Sequence, residues 1–478
     1  MGREEHRLNL AASQHRKRLA RGDQVDLRDT PGERVKASIG QNWLAKRTVD
    51  TSVLVELLSV RPGAKGWTHR PLWLAGARIT GSIDLVGATL GRPLHFEDCF
   101  IEQSIELTDV EAVTISLTGC FVPRVEASGL NTRGDLSLCD GFTATDVVNL
   151  HGATVGGTLD CDGGHFSNPQ GLSLDCGSIV VKESMWAEWA TFMGEVLLLD
   201  AHISGQLVCD GATFTHWGGD ALTADSLVVD GDMFCMTGFA ARGTVRLPIA
   251  HIGGGLNCSG GSFTNPRGKA IYATDLSVDG PMSCSNGFEA AGMVELTGAH
   301  IGCSLKCNEA KFTNPDGTAL GAAGLAVEGS MSCQDGFEAV GTVELTGARI
   351  SGNLNLCAAS LANLDSSAGS TSKARSNGST ARGALQLIGT EIGGDLNCAG
   401  AKLSDVQHGA LNARRVVIGG DMFCSGSSLR AAKSTWCTRR SAGTWTAPAA
   451  PSSARQGGRR AIWCKRRSGK TSSCAQCG

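Results

Sequence analysis

Apolar residues in this chain come in clipped triplets that alternate inward and outward, such as Val245-Arg-Leu247, Leu276-Ser-Val278, Val294-Glu-Leu296 and Leu305-Lys-Cys307. Alternation over three residues is the period of a short β-strand, whose successive side chains point to opposite faces. Gly, Asn and Asp fill the gaps, where the chain turns and often needs positive φ. The triplets are themselves periodic: Val147, Val196, Val245, Val294 and Val343 open the same phrase every 49 residues. Within each block Cys209, Cys235, Cys258, Cys284, Cys307 and Cys333 follow at alternating steps of 26 and 23, so a block is two coils. A coil of this length cannot bury its own apolar face, and it stacks on its neighbours at about 4.8 Å per rung. The predicted fold is all-β: a right-handed parallel β-helix solenoid with a short, mostly helical N-terminal cap.

Looser triplets, among them Ile83-Asp-Leu85, Leu94-His-Phe96, Ile105-Glu-Leu107 and Leu136-Ser-Leu138, extend the pattern back to about Leu72. The expected organisation is a cap or leader over 1–68 and a repeat domain over 69–429 built of 49-residue double coils. In the cap, Thr51 to Leu58 reads as a helix capped by Thr51 or Ser52. The repeat is interrupted over 363–383, where a Ser-, Gly- and Thr-rich run from Ser366 to Arg382 replaces a coil and the step from Val343 to Leu385 falls to 42. That run reads as a loop.

Residues 430–478 break the pattern, with eleven Lys or Arg and no Asp or Glu. We read this stretch as a non-native or disordered basic tail. Back-translated from Lys433 with chosen third bases and begun one base earlier, it gives Glu-Val-Asp-Leu-Val-His-Ala-Thr-Ile-Gly-Gly-Asn-Leu-Asp-Cys. That is the opening phrase of the repeat, and two of every three bases in each shifted codon are dictated by the residues. The tail is therefore expected to be repeat read in a shifted frame, and its Cys474-Ala-Gln-Cys477 and its basic cluster from Arg455 to Lys470 receive no function.

Charge sharpens the picture. Residues 51–429 carry 21 Lys and Arg against 39 Asp and Glu, a net of about −18 that the near-neutral total of −3 conceals. Such a field repels nucleic acid and anionic lipid and favours basic partners. No apolar run reaches the length of a membrane span, and residues 1–30 lack the apolar core of a signal peptide, so the expected location is cytoplasmic, with peripheral contact at the inner face of the membrane as the alternative. Fifteen of the nineteen Cys precede the tail and read as an internal ladder of free, buried thiols; one rung is too long for an unstrained disulfide, and the slot is too apolar for thiolate chemistry.

Catalytic signatures are not found: there is no Ser/His/Asp order, H-E-x-x-H or P-loop, and strings such as Gly253-Gly-Gly255 recur as turns. His202, His251 and His300 recur every 49 residues, with His151 near the same slot, too sparsely for shared metal ligation; they read as surface decoration. Asp160-Cys-Asp-Gly163 and Asp230-Gly-Asp232 gather carboxylates at turns without the spacing of a calcium-binding roll. No catalytic, cofactor-binding or metal-binding residue is nominated, and no cofactor is expected.

The phrases Gly-Ala-His-Ile-Gly-x-x-Leu-x-Cys and Gly-Phe-x-Ala-x-Gly-x-Val-x-Leu resemble the degenerate pentapeptide-type repeat proteins common in actinobacteria, over roughly residues 70 to 429. That resemblance implies a quadrilateral rod, which in better-understood members is acidic, sometimes resembles duplex DNA, and binds topoisomerases. Relatives of this kind are also labelled membrane-associated oxidoreductases. The expected function is a non-catalytic scaffold or protein-interaction rod with an acidic surface, its partner unidentified, with a topoisomerase or another DNA-binding protein as the candidate the resemblance implies; the alternative is a membrane-associated oxidoreductase.

Overall fold

A computed structural model describes residues 14–30, 34–60, 68–363, 384–405, 410–426, 428–429, 435–440, 445–446, 462–465 and 473–475. The chain divides into two compact units, Met1–Phe234 and Cys235–Gly478. Each is an all-β parallel solenoid whose coils have four strand-bearing faces.

In the second unit one coil runs Leu256–Asn257 on the first face, Ser262–Tyr272 along the second and third, and Ser277–Val278 on the fourth. The next coil repeats this with Met282–Ser283, Glu289–Glu295 and His300–Ile301. Pairing is parallel and in register, with Leu256 opposite Met282 and Ser277 opposite His300. The predicted 26- and 23-residue coils are present, and the structure explains why they alternate. Thr264 pairs with Ala291 and Lys269 with Met293, so four residues, Asn265 to Gly268, turn the corner on the long coil where Gly292 alone turns it on the short one. From Thr264 to Ile271 the long coil uses four residues more than the short coil does from Ala291 to Val294, and the short coil regains one between its first and second faces, which leaves the difference between 26 and 23. Thr313/Thr318 against Val340/Thr342 repeats the arrangement, as does Ser167/Leu172 against Met193/Glu195 in the first unit.

Inside, alternate side chains form ladders. Phe239, Phe263, Phe288, Phe312 and Phe337 stack at centroid spacings of 5.1 to 5.5 Å in the second unit, and Phe142, Phe166, Phe192 and Phe214 at 4.7 to 5.4 Å in the first. These offset and tilted arrangements are the ones aromatic quadrupoles favour, each adding about 0.5–1.5 kcal/mol to the burial of the rings.

The cap differs from expectation in two ways. It is helical over 14–21 and Thr51–Leu58, with 3₁₀ turns at Ala37–Asn42 and Ala45–Arg47, but it also supplies strands. Val25–Asp26 pairs with Leu74 and Ala75, and Thr48–Asp50 with Arg78 to Thr80, so the cap satisfies the exposed edge of the first coil with backbone as well as covering it. The helix cap is also Asp50, not Thr51 or Ser52: its carboxylate accepts the Ser52 amide at 2.9 Å, where a negative charge meets the positive helix end. Arg28, its side chain 3 % exposed, is held by Asp26 within the cap at 2.9 Å and locks cap to solenoid through Glu97 and Asp98, each at 3.0 Å.

The interruption near 363–383 does not replace a coil. Val343 pairs directly with Leu385 and Leu354 with Leu396, so the 42-residue step is a single coil carrying an insertion at the corner between its second and third faces. The insertion itself, residues 364–383, lies outside the described residues, as do most of Arg455 to Lys470 and part of Cys474-Ala-Gln-Cys477. Backbone strands Thr435–Arg440 and Trp445–Thr446 pair with the preceding coil, Asn412 opposite Thr435 and Met422 opposite Trp445.

Candidate functional site

With the interior filled, the chemistry available to other molecules lies on the outward positions and the corners. His202, His251 and His300 open fourth-face strands and His151 lies in the turn before one; His202, His251 and His151 each reach an Asp of the following coil. His202 Nε2 lies 3.0 Å from Asp230, His251 Nε2 3.6 Å from Asp279, and His151 Nδ1 3.7 Å from Asp175. Arg349 and Glu391 form the equivalent rung at 3.6 Å. What reads from sequence as decoration is a set of cross-links between coils. The signal was available: Asp230 and Asp279 follow their histidines by 28 residues, one long coil plus two.

The two carboxylate turns behave as corners. Asp160 accepts the Asp162 amide at 3.0 Å, and Asp162 accepts the Glu188 amide from the next coil at 2.6 Å. Asp230 turns to His202 while Asp232 takes the Gln206 side-chain amide at 3.4 Å, so the pair diverges. Gly254, in the Gly253-Gly-Gly255 string, accepts the Gly280 amide at a corner that leads into a strand. Burial, and after it the charges of Asp160, Glu188 and Asp140, raise the Asp162 carboxyl to about 6 against the opposing Glu188 hydrogen bond. Among the described residues no three His, Cys, Asp or Glu converge as a metal site.

Of the fifteen cysteines from Cys99 to Cys424, none in a disulfide, thirteen are buried. Cys161, Cys209, Cys235, Cys258, Cys284, Cys307, Cys333, Cys398 and Cys424 occupy the inward slot that follows each first-face strand, shared with Leu117, Leu138 and Leu356. Cys99, Cys120, Cys139 and Cys176 fill other buried slots, so the ladder holds only part of the set. Cys303 is exposed and Cys357 partly so, which departs from the uniform burial expected. Burial drives the Cys161 thiol well up, and burial together with Asp160 pushes Cys139 up to about 12. Thiols held protonated in this way are apolar filler at neutral pH.

Comparison of the chain with protein-family profiles, with curated proteins and with solved structures finds no match. Among the described residues no helix is long and apolar enough to cross a membrane.

Proposed function

We propose that this protein is a non-catalytic scaffold that binds other proteins through the acidic outward side of its stacked coils, in the cytoplasm. One observation carries the reading. Each coil commits alternate side chains to interior ladders of Phe, Leu, Val and Cys, and what remains outside is a set of polar strands and tight corners bearing a large excess of carboxylate. Regular, flat, repeated surfaces of this kind suit extended contact with a macromolecule better than enclosure of a small substrate. A DNA-like field directed at a basic, DNA-binding protein such as a topoisomerase is the finer form of the same reading, and the charge sign supports it.

The test is direct. An absorption spectrum and native mass spectrum of the purified protein should show no bound chromophore or ligand. Flavin or metal absorbance, or a retained nicotinamide, would replace this reading with that of an oxidoreductase.

We also infer that 430–478 is repeat sequence in a shifted frame. Its support is the back-translated phrase together with the pairing of Trp445 opposite Met422, the position at which the shifted reading places its strand leucine. Resequencing the gene decides it: an extra or missing base between codons 425 and 432 is expected, and an unaltered frame refutes it.

A further inference from the structure

The negative charge is concentrated. Residues 134–234 hold fifteen Asp and Glu against a single base, Lys182, whereas 235–363 hold ten against seven. The same segment of the first unit exposes its large apolar side chains: Trp189 is 63 % exposed, Trp217 67 % and Met193 45 %. All three border one surface, the outward side of the second face. Met193 lies on the strand Thr191–Leu197 opposite Thr215 of the next coil. Trp217 follows two residues after Thr215, at the corner to the third face. Trp189 precedes the strand at the opposite corner, its indole lying over Gly211 of the next coil. Asp140, Asp162, Glu188 and Asp210 follow one per coil along the Trp189 corner, and Asp146 and Asp220 lie at the Trp217 corner.

Stability does not account for Trp189. Its φ is +57°, in the left-handed region, and the residues in the same corner of the adjoining coils are Gly163 at +61° and Gly211 at +69°. A bulky residue in that conformation is an outlier, and such strain is retained where a side chain has a use. Two exposed tryptophans and a methionine are the side chains most enriched at interfaces. The surrounding charge selects the occupant. A second copy would set acid against acid, and nucleic acid or anionic lipid would be repelled, whereas a cationic chain is attracted and its Lys and Arg heads can lie over indole rings.

We propose that the second face of the first unit, between Trp189 and Trp217, docks a Lys- and Arg-rich protein segment. This rests on the scaffold reading and specifies its partner's chemistry. The experiment is a titration of fluorescein-labelled nona-arginine with the full chain, followed by anisotropy. Saturable, salt-sensitive binding is expected. Trp217→Ser and Trp189→Gly should each weaken it about three- to fivefold, and Asp162→Lys with Glu188→Lys at least about tenfold. The pair Glu289→Lys with Glu338→Lys, in the second unit, should leave it within about twofold, all variants keeping the parent circular dichroism. Absence of binding, equal effects of the two charge-reversal pairs, or tryptophan variants that bind like the parent would overturn the proposal. So would Trp217-dependent self-association in sedimentation, or partition onto phosphatidylcholine vesicles. A bound chromophore would sink the scaffold reading separately, without reference to this face.

Discussion

Replacing Gly292 by Ala tests the packing of the corner that sets the coil alternation. Gly292 has a φ of +118°, in a region that residues bearing a Cβ scarcely enter. An added Cβ would stand 2.2 Å from the Asn265 carbonyl oxygen, 3.0 Å from its carbon and 3.1 Å from the Gly268 oxygen. These are backbone atoms of the preceding coil and cannot swing aside as a side chain would. Backbone strain of about 1–3 kcal/mol and overpacking of about 1–3 kcal/mol together give a loss of about 3 kcal/mol. Gly287→Ala is the control: its φ is +83°, but nothing lies within 4 Å of the added atom, so only the conformational cost of about 1 kcal/mol applies. Repeat arrays can unfold in parts, so a single midpoint is a poor reading. Hydrogen exchange of the amides in Ser262–Tyr272 and Glu289–Glu295 reports the corner locally. Protection there should fall about a hundredfold in Gly292→Ala and about fivefold in Gly287→Ala. Equal losses in the two variants would refute the claim that one glycine fits beneath a four-residue corner.

Other consequences are equally specific. Arg28→Ala should destabilise the first unit by about 1.5–3 kcal/mol, read by chemical denaturation, because it removes one of the two guanidiniums at the buried Asp98 carboxylate and leaves it Arg34 at 3.3 Å and the Val35 amide. For Asp162 the folded carboxyl titrates near 6, above its unfolded value, so its charged form opposes folding: stability is greatest below about pH 4 and is lost as pH rises to 6. Asp162→Asn, which keeps an acceptor for the Glu188 amide, should remove that slope and stabilise the protein at pH 7 by about 1 kcal/mol after allowance for solvent screening. Ile249 is a β-branched residue at φ +51° and 61 % exposed, at a corner where Gly298 and Asp275 stand elsewhere. Ile249→Asn should therefore raise stability by about 1 kcal/mol in the same denaturation assay.

The coil architecture was legible because its carriers are periodic. Cysteines and triplets mark every rung, and a 26/23 alternation admits few alternatives to stacked coils. The cause of the alternation was hidden, since Gly292 and Asn265 lie 27 residues apart and only a packed corner relates them. The histidine rungs failed for the same reason: His202 and His251 were read against one another, along the column, when their partners Asp230 and Asp279 lie one coil on. In the cap, Val25–Asp26 and Thr48–Asp50 are too short to show alternation, and they become strands only because the first coil offers an open edge. The insertion was misjudged because spacing alone cannot tell a shortened pair of coils from one lengthened coil; the pairing of Val343 with Leu385 can. Charge was visible in total but not in place, and it took the fold to bring Asp140, Asp162, Glu188 and Asp210 onto one corner.

Parallel coils stacked around interior thiols shield those thiols from reagent, and residue-resolved alkylation reads that shielding site by site. Native protein treated with iodoacetamide at pH 8, then digested and analysed by mass spectrometry, should show Cys303 modified within minutes. Cys235, Cys258, Cys284, Cys307 and Cys333 should stay unmodified until denaturant is added. Modification of Cys258 and Cys284 at the rate of Cys303 in the folded chain would contradict it.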